Sequence, residues 1–159
     1  MTEPDSPITG AVFIDAPRDA QLMALYEYWD AVRGGRVMPA RADIDPGKIR
    51  RLLPHIIMYT VAADYTVRLV GEEIVHFTGR NATGQPVAST MSPRSAEMMI
   101  KILDAVATER VPKFRAGKAH WQSDKPYHDF EACFLPLSTD GETVDIILGG
   151  IIFPMLAKI

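Results

Sequence analysis

The segment "HWQSDKPYHDF", residues 120–130, brings His120, Asp124, His128 and Asp129 into one short stretch. Two imidazoles and a carboxylate can ligate zinc or iron, and a histidine–carboxylate pair can move protons. Seven residues separate the two histidines and span an expected turn, so no helical or strand register holds them together. No serine or cysteine stands in a nucleophile motif such as G-x-S-x-G. The cluster therefore reads first as a solvated hairpin loop, and a small metal-dependent or acid–base enzyme centred on His120 and His128 is the alternative. Cys133 is the chain's one cysteine. It falls in an expected strand, reads as a buried inert thiol, and leaves no internal disulfide or cysteine-based zinc site. A second candidate is "RGGRVMPARADIDPGKIRRLLPH", residues 33–55, with six basic and two acidic residues in a chain of net charge −3. Without interleaved aromatics or a recognition helix it reads as a solvated connector with local ion pairs among Arg41, Asp43 and Asp45, not as a nucleic-acid grip.

The elements that must position these residues follow from periodicity and punctuation. At 159 residues, 47% apolar and 23% charged, the chain has the size and composition of one soluble domain. A pI near 5.8 argues against general nucleic-acid binding. The first ten residues show no secretory h-region, no apolar run is long enough to span a membrane, and the lone thiol suits the cytoplasm. Residues 1–14, with Pro4, Pro7 and Gly10, read as a flexible arm, 15–40 as a helix and connector, and 41–159 as the main domain. Leu22, Leu25, Trp29 and Val32 share one face of a helix that starts near Asp15 and ends at Gly34–Gly35. Asp45–Pro46 starts a short helix, with Pro54 as its stop. "HIIMYTV" and "YTVRLV" read as paired strands. "GEEIVHFTG" gives one or two helical turns, and Ser92–Pro93 opens a longer helix with Met99, Ile102, Leu103 and Val106 as its buried stripe. Three strands follow, at about 111–122, 128–137 and 143–153, the last two joined at Asp140–Gly141. Strand runs parted by a block of helices predict an α+β fold with one five-stranded antiparallel sheet.

This order, together with "RGGRVMPARADIDPGKIRRLLPHI", "VRLVGEEIVHFTGRNATGQPV" and "FLPLSTDGETVDIILGGIIF", resembles a family of small stand-alone bacterial PAS-domain proteins. The resemblance runs from about Trp29 to Phe153. The chain departs from the family pattern at Glu72 and at Ala132–Cys133–Phe134, where small polar and aliphatic residues are common. The resemblance implies a PAS-like sheet with helices on one face, and a sensory or protein-interaction module in signal transduction, not an enzyme. It names no cofactor. Cys133 does not sit where light-sensing PAS domains carry their flavin-reactive cysteine. The longer helix lacks the histidine of haem-bearing members, and only His76 could stand in for it.

In "VDIILGGIIF" both alternating sets are apolar, Val144, Ile146 and Leu148 against Ile147 and Ile151, so both faces of this strand need cover. The longer helix and loops cover one face, and the N-terminal helix is available for the other. Between sheet and helices, Phe77, Met99, Leu103, Trp121 and Phe134 are apolar candidates to line a ligand site, and Arg80 is a polar one. The same residues would otherwise fill a core. Expected partners are a small apolar or aromatic ligand, a signalling protein, and a second copy of the chain. The homodimer would form through the N-terminal helix if Met23 and Tyr26 keep a second apolar face exposed.

Overall fold

The computed structural model describes residues 8–119 and 128–153. Its core is one antiparallel sheet of six described strands: β1 (Ile8–Ile14), β2 (Ile56–Thr60), β3 (Thr66–Val70), β4 (Lys113–Ala119), β5 (His128–Leu137) and β6 (Ile146–Ile152). Their spatial order is β1-β4-β5-β6-β2-β3. The α+β expectation holds, with one strand more than the five expected. The difference is β1: residues 8–14, expected within a flexible arm, pair along the outer edge of β4, with Ile14 opposite Phe114 and Phe13 opposite Arg115. Backbone hydrogen bonding to an open edge orders this segment. Val12 and Phe13 remain exposed, while Ile14 packs against the core.

The N-terminal helix, α1, spans Ala20–Arg33, five residues later than the expected start. The Asp19 carboxylate caps it, accepting from the backbone N–H groups of Gln21 (2.8 Å) and Leu22 (3.1 Å). Gly34, at φ 61°, ends it. The stripe read from sequence is the packing face: Leu22, Leu25 and Trp29 are buried. They lie on one side of the sheet, above Gly150 and Cys133; a Cβ at Gly150 would come within 2.9 Å of both leucines and 3.3 Å of the Cys133 sulfur. The buried Glu131 carboxylate on β5 receives the chain as it enters α1, accepting from the N–H groups of Arg18 (2.7 Å) and Asp19 (3.0 Å). A negative charge at this end also favours the helix dipole. Tyr26 turns inward, stacked on Trp29 at 6.2 Å and edge-on to Phe114 at 5.2 Å. The second exposed apolar face that the dimer expectation required is therefore partly used within the chain.

The segment from Pro46 to His55 is a pair of 3-10 turns merged at Ile49, and it continues through Pro54 where a stop was expected. Proline disrupts an α-helix by removing the i→i−4 donor and meeting the carbonyl behind it; a loosely bonded 3-10 segment has no such ladder to break. The basic stretch is tied down locally, with Arg33 to Asp30 (2.7 Å) and Arg36 to Asp43 (3.0 Å), while Lys48, Arg50 and Arg51 are exposed. The partner of Asp43 is thus Arg36. Arg41 donates to the Ile44 carbonyl instead, and the Asp45 carboxylate accepts from Gly47.

On the other side of the sheet lie α2 (Glu72–Thr78) and α3 (Pro93–Glu109). The α3 stripe Met99, Ile102, Leu103 and Val106 is buried as its spacing requires. All seven residues of β6 are buried, which fits a strand covered on both faces. At the β5–β6 connection Gly141 takes φ 82°, and the Asp140 carboxylate accepts from the N–H groups of Thr143 and Glu142 and from the Ser138 hydroxyl. Those bonds, the Thr143 N–H first, hold the Asp140 carboxyl below the usual carboxylate range. No helix among the described residues is long and apolar enough to cross a membrane.

Candidate ligand side of the sheet

Strand alternation sorts the side chains onto the two faces. Phe114, Cys133 and Gly150 are aligned across β4, β5 and β6 and point toward α1. Their neighbours Arg115, Ala132 and Ile151 form the adjacent row. That row, with Phe134 and Ile147, points toward α2 and α3. The two faces are chemically different, and the candidate residues divide between them.

Phe134, Met99 and Leu103 meet on the α3 side, each buried, with Phe134 at 1% and Leu103 at 0% exposure. Phe77, on α2, is half-buried and stacked flat on Phe153 just beyond β6, with ring centroids 3.8 Å apart and planes 8° apart. This contact joins α2 to the strand end. Arg80 is exposed and does not enter the sheet–helix space; its Nη2 donates to the Thr90 carbonyl at 2.6 Å, clasping the loop that leads into α3. Trp121, His120 and Asp124 lie outside the described residues. His128 begins β5, and Asp129 pairs with Lys118 at 2.7 Å. Among the described residues no three histidine, cysteine, aspartate or glutamate side chains gather as a metal site. His76 is exposed.

Two polar residues on the helical side were missed from sequence. Arg115 is 4% exposed, and its described polar contact is Nη2 to the Met98 sulfur at 3.8 Å. Burial pulls the guanidinium pKa down from its ordinary value. Ser95, in the first turn of α3, is also 4% exposed, and its hydroxyl has no hydrogen-bond partner. The available signal was the alternation in "KFRAGKA", which sets Arg115 opposite in facing to Phe114 and beside the apolar "ACFLPL". A charge there reads as solvent-facing unless the strand is known to be covered.

Cys133 lies on the α1 side, away from α2 and α3. Burial pushes its thiol up to about 12. The folded protein should accordingly leave a disulfide-exchange reagent such as DTNB unreacted at pH 8, while the unfolded protein reacts at once. The same shift sets a pH dependence. Above about pH 9 the unfolded thiol loses its proton and the folded one keeps it, so the unfolded state binds fewer protons and stability falls. The loss from this group grows as the pH rises towards the folded value. Urea titrations at pH 8 and 10, with Cys133→Ala as control, measure it.

A family model for the PAS domain matches residues 18–152. Among solved structures, the chain is similar to an RNA-binding light-oxygen-voltage receptor, with TM-score 0.56 and 13% identity over 92% of this chain and 39% of that one. It is also similar to the PAS domain of Bordetella pertussis BvgS, with TM-score 0.53 and 19% identity over 70% and 91% of the two chains. A third likeness is to the light-state structure of the Aureochrome1 LOV photoreceptor, with TM-score 0.50 and 13% identity over 67% and 85%. No curated protein matches at a comparable level. A single antiparallel sheet with α2 and α3 on one face, and a family match across nearly all the described elements, lead to one conclusion: the chain belongs to the PAS domain family.

Proposed function

We propose that this chain is a sensory module that takes a small apolar or aromatic molecule between the sheet and α3, and passes the resulting change to a signalling protein. The observation that carries this reading is the contrast between the two faces. The α1 side is closed by Leu22, Leu25, Trp29, Tyr26 and Phe114 packed over Gly150 and Cys133, and its buried Glu131 is satisfied by the N–H groups of Arg18 and Asp19. The α3 side holds buried polar groups, Ser95 and Arg115, whose bonding capacity the described residues leave largely unused. Buried polar groups in native proteins normally find a partner, and a ligand is one way to supply it. Phe134, Met99 and Leu103 are the proposed apolar contacts, with Trp121 and Phe77 at the margins. Arg80 is assigned to the loop clasp and not to the ligand. Native mass spectrometry of the non-denatured chain tests the reading: a stoichiometric organic adduct lost on unfolding is the expected result. Stoichiometric zinc or iron in its place would revive an enzyme centred on His120 and His128.

The homodimer expected from α1 fits the β1 edge better. Val12 and Phe13 are 57% and 56% exposed there on an open strand edge, whereas Tyr26 is engaged within the chain. Phe13→Glu should convert a sedimenting dimer into a monomer. An unsubstituted chain that is monomeric at high micromolar concentration removes the dimer from the proposal.

A further inference from the structure

The helical side of the sheet places a cation that no carboxylate among the described residues answers. Arg115 projects from β4 toward α3. The nearest acid along the sheet, Glu131, lies on the opposite face and is engaged by the N–H groups before α1. Glu109, at the far end of α3, is taken by Lys113 at 2.8 Å. Among the described residues, no carboxylate pairs with Arg115. Ser95 and Met98 are one helical turn apart on α3, with Ser95 buried and Met98 46% exposed, so the sulfur touching Arg115 marks the outer margin of the helix side that carries the unpartnered hydroxyl. A buried cation left in this state opposes folding, and an anion between β4 and α3 would relieve it.

Resting on the reading that this side of the sheet takes a ligand, we infer that the ligand is a monocarboxylate with an apolar body. Its carboxylate is held by the Arg115 guanidinium and accepts from the Ser95 hydroxyl, and its carbon chain lies over Ala132 toward Ile151. Four observations select this class. The guanidinium is a planar fork matched to a carboxylate. The other cation that β4 presents on this face, Lys113, is already paired with Glu109, so among the described residues of β4 Arg115 alone faces α3 without a carboxylate, which favours a monoanion over a phosphate dianion. The serine supplies a second donor from the facing element. The register sets Ala132, the smallest side chain in its row, immediately beside Arg115 and leads on to Ile151.

Calorimetric titration and thermal shift of the full chain with octanoate, 1-octanol and inorganic phosphate test this assignment. Octanoate should bind at least tenfold more tightly than 1-octanol. Arg115→Met should abolish that difference, and Arg115→Lys should retain part of it. Ser95→Ala should weaken octanoate severalfold. Without any probe, Arg115→Met should melt no lower than the unsubstituted chain, since it removes a buried charge that no carboxylate among the described residues pairs. This also checks that the variant folds. If 1-octanol binds as well as octanoate, or if Arg115→Met leaves octanoate affinity unchanged, the carboxylate assignment is overturned and the apolar site stands. If phosphate protects as well as octanoate, the assignment is likewise overturned. If neither octanoate nor 1-octanol binds, both the assignment and the ligand-binding reading on which it rests fail.

Discussion

Gly71→Ala should cost about 3 kcal/mol or more, at or beyond the upper end of overpacking effects. In a domain of ordinary stability that is a large share of the total, and for a chain of this size it lowers the thermal midpoint by roughly 10 °C. Gly71 joins β3 to α2. Its N–H donates to the Ile56 carbonyl at 2.7 Å, and its own carbonyl accepts from Ile74 and Val75 at the start of α2. A Cβ at this position would stand 2.4 Å from both the Leu53 and Pro54 carbonyl oxygens. These are backbone atoms of the 3-10 segment, so no rotamer change clears them, and either that segment or α2 must move. The φ of −71° is open to any residue, so the cost comes wholly from the contact and not from backbone strain. Urea unfolding of Gly71→Ala against a neutral surface change, such as Glu73→Gln, measures it. An alanine variant within 1 kcal/mol of the parent would mean that the 3-10 segment yields freely.

Trp29→Ala should be nearly as severe, at about 3–5 kcal/mol for the lost aromatic volume. The indole is 2% exposed, and its N–H donates to the Pro136 carbonyl at 2.9 Å. That acceptor has few alternatives. The β4–β5 pairing ends at Lys113 opposite Phe134, so Pro136 lies past the end of β4, and that strand offers it no N–H. The same position explains how an interior strand tolerates a proline. Trp29→Phe separates the two contributions, keeping most of the packing and losing the donor, and should cost about 1–3 kcal/mol. Equal losses for Ala and Phe would assign the whole effect to the hydrogen bond.

Helix packing is the part of this fold that sequence spacing makes most legible. The α1 and α3 stripes were legible because a helix packed on one face writes its burial at three- and four-residue spacing, as in Leu22, Leu25 and Trp29 or Met99, Ile102 and Leu103. The doubly covered β6 was legible because both of its alternating sets are apolar. β1 was not, since an edge strand held by backbone bonds leaves Val12 and Phe13 exposed and needs no buried alternation. The 3-10 segment was misread as a helix ending at Pro54 because three-residue turns leave little periodicity to recognise. Of the candidate site, the apolar members Phe134, Met99 and Leu103 were legible as a group facing the sheet–helix space. Arg115 was not, because a charge in the alternating "KFRAGKA" reads as solvent-facing until the cover of that face is known. The departure of Arg80 from the expected site has a similar cause, since only the position of the Thr90 carbonyl reveals its clasp.

The placement of β6 between β5 and β2 has a consequence during synthesis. The strand that joins the two halves of the sheet is the last of the six to leave the ribosome. Until residues 146–152 emerge, β2 and β3 form a two-stranded hairpin, which is marginal by itself, and β1, β4 and β5 have no neighbour on their inner edge. α1 waits longest, made early but lacking the Gly150 surface on which Leu22 and Leu25 settle. Its apolar stripe and two open strand edges are therefore presented together by the nascent chain, the exposure that invites aggregation or chaperone capture. Folding is then limited by distant contacts and slow for a domain of this length. A ribosome-stalled chain ending before Ile146 should remain fully sensitive to protease, and one extended beyond Phe153 and clear of the exit tunnel should become resistant in a single step.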